Sequence, residues 1–101
     1  MIKYALFARF EAKPGKEAAV EQFLQQGLAL SKEEPETKIW FALKLSERVF
    51  GVFDAFETEE GRQAHLAGKI AAALMASAPE LFTGPPSIER IDVLGLKNSA
   101  S

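Results

Sequence analysis

Two strand-like runs stand at the centre of this chain, Thr37 to Leu45 and a second ending at Phe56, with only Ser46-Glu47 between them. A gap that short implies an antiparallel hairpin, although these two residues lack the Asn-Gly chemistry that would fix the turn type. In the first run Ile39, Phe41, Leu43 and Leu45 alternate with Lys38, Trp40, Ala42 and Lys44, the period of two that a pleated strand imposes. In the second, Val49, Phe50, Val52, Phe53 and Phe56 supply β-branched and aromatic density. Gly51 interrupts it, which predicts a bulge in preference to a close backbone approach.

The flanking segments are patterned differently. Towards the N-terminus, Ile2, Tyr4, Leu6, Ala8 and Phe10 alternate through Ile2 to Ala12, a first strand stopped by Pro14-Gly15. From Lys16 the spacing becomes helical: Val20, Phe23, Leu24, Gly27, Leu28 and Ser31 form one stripe that closes before Pro35. After the hairpin, Thr58 followed by Glu59 and Glu60 is an N-cap with acid at the positive end of a helix. That helical region runs to about Ala78 with Leu66, Ile70, Leu74 and Ala78 at fourfold spacing. Gly61 and Gly68 weaken it and offer a place to divide it, and Pro79 is expected to end it. Gly84-Pro85-Pro86 then makes a stiff connection to a last strand, Ile88 to Leu96.

The order is therefore βαββαβ. It predicts an α+β, ferredoxin-like fold, an antiparallel sheet with both helices on one face. We expect one domain over residues 1–97 and a disordered tail over 98–101. With 101 residues and 48% hydrophobic content, such a domain has just enough apolar material for a core. The strands are apolar on both faces, however, and two helices cover only one. A second copy pairing sheet to sheet is the expected cover, so the chain is predicted to be a homodimer.

Charge and composition narrow the function. Twelve basic against 14 acidic residues give a net charge of -2, without the cationic excess that phosphate neutralisation requires, so nucleic acid is not an expected partner. No apolar run approaches the roughly 18 residues of a membrane span, and the N-terminus shows no secretory pattern, which predicts a soluble cytoplasmic protein without a membrane partner. There is no cysteine and only one histidine, which leaves neither thiolate chemistry nor a multi-histidine metal site within one chain. The glycines form no phosphate loop, and no serine lies in a nucleophile elbow. We expect no metal and no cofactor.

The polar anomalies concentrate in Phe53 to Leu66. Asp54 interrupts an apolar strand face, and a carboxylate there has to be paired, solvated or protonated. The same strand can pack against the helix that follows it and carries His65, the one side chain able to accept a proton near neutral pH without heavy tuning. Asp54 either lies near the strand end within reach of water or orients His65 or a substrate hydroxyl. His65, at the border between the apolar stripe and the solvated face with Arg62 and Lys69 nearby, is either amphipathic filler or a base. Trp40 and Tyr4 are plain core or the walls of a flat pocket. Arg9 and Arg90 fit an anion anchor or interfacial salt bridges equally well.

The whole element order, with F-D-x-F-E-T at the end of the third strand running into Q-A-H-L, resembles the antibiotic biosynthesis monooxygenase family of dimeric α/β barrels. The most specific part is Phe56-Glu57-Thr58, with His65 nine residues after the aromatic; the PP-x-I-E-x-I-D-V run is compatible. Some members of that family oxygenate hydroquinones or polycyclic aromatics without metal or flavin: the deprotonated substrate gives electrons to dioxygen, and the protein supplies a dry pocket and a proton acceptor. The resemblance implies a quinol-type monooxygenase with His65 as base, Asp54 as its partner, and Phe56, Trp40 and Tyr4 as pocket walls. Haem-degrading members carry an Asn where Ala8 stands, a Trp at Phe56 and a His late in the last helix, none of which is present. Quinol monooxygenases often carry Trp at Phe56 and a second His at the position of Ile70, and this chain differs at both. The alternative is a dimeric barrel that binds a hydrophobic small molecule, or serves in a stress response, without turnover.

Overall fold

The computed structural model describes residues 1–97, so the tail expected to be disordered lies outside the described residues. The elements are β1 (Tyr4–Glu11), α1 (Glu17–Ser31), β2 (Ile39–Lys44), β3 (Val49–Phe56), α2 (Glu59–Leu66), α3 (Lys69–Leu81) and β4 (Ser87–Asp92). The sheet is four-stranded and antiparallel in the order β2-β3-β1-β4. This is the ferredoxin-like βαββαβ arrangement, with the second helix divided in two.

Alternation decides the layers. Leu6, Phe10, Phe50, Val52 and Phe56 face the helices and are buried, closing over Val20 and Leu24 of α1 and Leu74 and Leu81 of α3. Phe82 joins them with its ring stacked on Phe10 at 4.6 Å between centroids. Truncating a fully buried ring such as Phe50 to Ala is expected to cost about 3–5 kcal/mol through lost transfer energy and the cavity left behind. On the opposite face, Phe7 pairs with Phe53 and Phe53 with Phe41, a three-ring row across β1, β3 and β2. Among the described residues no helix or strand covers that row, and Phe41 is 55% exposed.

Three local expectations need correction. The register runs through Gly51 without a bulge, pairing it with Arg9 on one side and Leu43 on the other. Pro79 lies inside α3, which continues to Leu81. Tertiary partners hold that last turn: Lys13 Nζ donates to Pro79 O at 2.6 Å, and Lys13 N donates to Leu81 O at 2.8 Å. Satisfying the terminal carbonyls offsets the bond that proline cannot make. The last strand ends at Asp92, short of the expected Leu96. Val93 N still donates to Lys3 O, but residues beyond it have no strand partner among the described residues.

The division between α2 and α3 falls at Gly68. Its N–H donates to His65 O in a tightened turn, and its carbonyl accepts from Ala72 N to open the next helix. A Cβ on Gly68 would lie 3.1 Å from Glu34 Oε2 and 3.2 Å from His65 O. The absence of a side chain thus lets the loop after α1 lie directly against the joint, which brings Glu34 to His65.

Candidate functional site

Asp54 lies on β3, facing the helices, and is 2% exposed. Two flanking aromatics, Phe53 and Phe56, keep the strand regular, so the carboxylate is carried into the core by register alone. Opposite it stands α2, started where the sequence indicates: Thr58 Oγ1 accepts from Gly61 N at 3.0 Å. Nearly two turns later the helix delivers His65, 7% exposed, over Asp54.

The imidazole is held at both nitrogens. Nε2 lies 2.8 Å from Asp54 Oδ2, and Nδ1 lies 2.7 Å from Glu34 Oε1. Thr37 Oγ1 donates to the same Glu34 oxygen at 2.8 Å, tying the loop to itself. A neutral histidine has only one N–H, so two such bonds to carboxylates are best satisfied by imidazolium. Electrostatics agree in direction. Burial by itself disfavours the charged ring, but the hydrogen bond and charge of Asp54, and then those of Glu34, outweigh it and raise the His65 pKa above its ordinary 6.5. Burial likewise raises the Asp54 pKa, with His65 pulling against it. Both shifts mean that the pair keeps its shared proton to higher pH than either group would in water.

Asp54 Oδ1 has no hydrogen-bond partner, and neither does Trp40 Nε1; both atoms are buried. Asp54, Trp40 and His65 line one cavity between the sheet and the helices, with Leu6, Phe23 and Leu74 among its apolar walls. Its open volume is about 50 Å³. On the other side of His65, where Glu34 sits, a wider cleft of about 310 Å³ opens between the 33–37 loop and α2 and includes Lys69. His65 therefore separates a small, mostly apolar cavity from a solvent-facing cleft.

The remaining residues expected at the site lie elsewhere. Phe56 is fully buried and packs behind the imidazole, centroids 5.4 Å apart. Tyr4 stands away from the cavity, with the guanidinium of Arg62 over its ring at 5.2 Å. Neither Arg9 nor Arg90 is beside Asp54: Arg9 is exposed on the uncovered face, and Arg90 lies 3.8 Å from Glu59. Among the described residues, no group of three or more His, Cys, Asp or Glu side chains is arranged to hold a metal ion.

Two residues escape a reading of the sequence. Glu34 meets His65 from 31 positions away. Its only sequence signal is the acidic run Glu33-Glu34-Pro35-Glu36 closing the first helix. Arg62, three residues before His65, reads as part of a solvated face yet is 5% exposed.

No family model and no curated protein matches the sequence. Among solved structures, the NE2512 protein of Nitrosomonas europaea, of unknown function, is 55% identical over 100% of this chain and 98% of its own, with a TM-score of 0.95. A "putative antibiotic biosynthesis monooxygenase" from Caulobacter crescentus is 20% identical over 93% and 92% of the two chains, with a TM-score of 0.77. A protein of the same description from Nitrosomonas europaea is 16% identical over 91% and 90%, with a TM-score of 0.80. The chain belongs to one family with NE2512, and its fold is that of the antibiotic biosynthesis monooxygenase-like ferredoxin domains.

Proposed function

We propose that this protein is a cytoplasmic, cofactor-independent monooxygenase of the quinol type, acting on a small aromatic hydroquinone or phenol with dioxygen. The observation that carries the reading is a buried Asp54–His65 pair on the wall of an apolar cavity, with one carboxylate oxygen left unpaired. A buried acceptor of this kind suits removal of a phenolic proton, and an apolar surround that a bound ring would clear of water raises the energy of the resulting anion until it gives up electrons. For a hydroquinone the balance is simple. One atom of dioxygen adds to the ring, and the two hydrogens that the substrate loses leave with the other atom as water, giving a hydroxyquinone. His65 and Asp54 are the catalytic pair, Trp40 walls the cavity, Phe56 backs the imidazole, and Tyr4 acts only through Arg62.

Residues 1–97 form the working unit, which functions as a homodimer joined through the face that carries Phe7, Phe53 and Phe41. Its aromatic row, with Phe41 exposed and Phe7 and Phe53 half-buried, is the kind of apolar patch that soluble monomers seldom leave uncovered. Sedimentation at micromolar concentration should give twice 11.1 kDa, falling to the monomer in Phe41→Asp; a stable wild-type monomer would remove this part of the reading. Among the described residues no helix is long and apolar enough to cross a membrane.

Oxygen-electrode turnover on a panel of hydroquinones, with metal-stripped protein, tests the chemistry. Substrate-dependent consumption that disappears in His65→Ala supports the enzyme. Saturable binding without consumption supports instead a non-catalytic barrel that holds a hydrophobic small molecule.

A further inference from the structure

The cavity holds two unsatisfied polar atoms of opposite kind. Trp40 Nε1 can only donate, and Asp54 Oδ1, if ionised, can only accept. They are not scattered. Trp40 and Asp54 are register partners on β2 and β3, and both face the helices. Side chains directly opposite on neighbouring antiparallel strands have Cβ atoms about 4.5–5.5 Å apart, so the carboxylate and the indole start from adjacent points on the wall of one cavity. The indole is seated by close packing: a Cβ on Gly27 of α1 would lie 3.2 Å from its Cζ2. A buried donor and a buried acceptor left without partners each cost stability, so their presence side by side in an apolar cavity calls for an occupant.

We propose that this pair recognises a ligand hydroxyl, which donates to Asp54 Oδ1 and accepts from Trp40 Nε1, on an apolar body of about one ring. Few groups satisfy both atoms. A ketone or an ether accepts from Trp40 but leaves Asp54 unpaired. An ammonium pairs with Asp54 and leaves the indole N–H without an acceptor, and a carboxylate meets Asp54 with like charge. A hydroxyl does both with a single oxygen. The size follows from the space: about 50 Å³ is open, against the roughly 150 Å³ in which a benzene ring is known to sit in an apolar protein cavity. One ring requires the walls to yield a little, whereas a fused polycycle requires them to yield far more. This inference rests on reading the cavity as the ligand site but needs no oxygen chemistry.

Trp40 is the sole tryptophan, so both its fluorescence and its single indole N–H resonance report on the site in the unaltered protein. We would titrate phenol, anisole, toluene and benzoate anaerobically, following the indole resonance and the heat of binding. Phenol should bind saturably and move the indole N–H downfield, while anisole, toluene and benzoate bind about tenfold or more weakly. In Trp40→Phe, calorimetry should show phenol weakened several-fold and toluene unchanged. Equal affinity for phenol and toluene, an unmoved indole resonance at saturation, or no binding of phenol would overturn the proposal; the last result would mean that water alone fills the cavity. Oxygen uptake separates the two readings. Hydroxyl discrimination without consumption would sink the oxygenase and leave this pairing intact, and consumption without discrimination would do the reverse.

Discussion

Helix α2 carries two buried cationic side chains three positions apart, and the molecule treats them in opposite ways. Arg62 spends four of its five N–H groups on the protein itself. Its Nε and Nη2 donate to the two carboxylate oxygens of Glu59 at 2.8 and 2.6 Å, and Nη1 reaches Ala5 O at 3.2 Å and Ile91 O at 3.3 Å. These contacts staple α2 to β1 and β4. His65 is just as buried, yet its partner Asp54 keeps one oxygen unpaired beside an apolar cavity. The bonds of Arg62 close on the protein itself, whereas the Asp54–His65 pair leaves one carboxylate oxygen open.

That contrast can be broken by mutation. Removing the closed set should be the costlier: Arg62→Leu should lower unfolding free energy by about 2–4 kcal/mol, because the carbonyls of Ala5 and Ile91 lose a charged donor in a dry place. Urea denaturation measures this, and a loss below about 1 kcal/mol would show that the staple is ornamental. Opening the other set should cost little stability and much function. Asp54→Asn keeps an oxygen that can accept from His65 Nε2 and leaves Glu34 beside Nδ1, so it is expected to shift unfolding by about 1 kcal/mol or less while reducing hydroquinone-dependent oxygen uptake by roughly 10²-fold or more. If it destabilised as strongly as Arg62→Leu, the two regions would be alike and the contrast would vanish.

A smaller effect comes from pH. Both His65 and Asp54 have raised pKa values, so each holds its proton to higher pH in the folded chain than in the unfolded one, and its contribution to stability falls as pH rises through the folded value. The His65 contribution is complete below its ordinary value near 6.5 and is lost as pH climbs through the higher folded value. Melting temperature between pH 6 and 9 should therefore decline in the wild type and flatten in His65→Gln. The mildest perturbation is Glu34→Gln, which removes one of the two charges that raise the His65 pKa and should lower the histidine midpoint seen in ring-proton NMR. An unchanged midpoint would mean that Asp54 alone sets the protonation of the pair.

Most of the fold is legible because its signals are local. Alternation in Tyr4–Glu11, the stripe of α1, the short hairpin gap and the Thr58 cap each depend on residues within a few positions of one another. The exceptions all depend on tertiary partners. Pro79 stays helical because Lys13 caps the turn, and Gly51 stays in register where a local rule expects a bulge. At the site, Asp54 is legible because it interrupts an apolar strand face, and His65 because it is the one histidine of the chain and stands on the next element. Glu34 is not, since an acidic turn beside a proline is ordinary, and only the close packing at Gly68 gives it a partner. Tyr4 fits the alternation of a pocket wall, but the guanidinium that claims its ring lies on a helix 58 positions further on, which no local pattern records.

The strand order has a consequence for how the molecule is made. In β1, Tyr4 meets Phe56 on one side and Asp92 on the other, so this strand is paired on one edge only after β3 is made and on the other only after β4. The β2–β3 hairpin and the helices can form early, but the sheet closes only through long-range pairing, which slows folding relative to a helical domain of this size. Until β4 arrives, one backbone edge of β1 offers unpaired N–H and C=O groups to any extended chain nearby. Aggregation during synthesis, more than unfolding afterwards, is then the hazard to which this topology is most exposed.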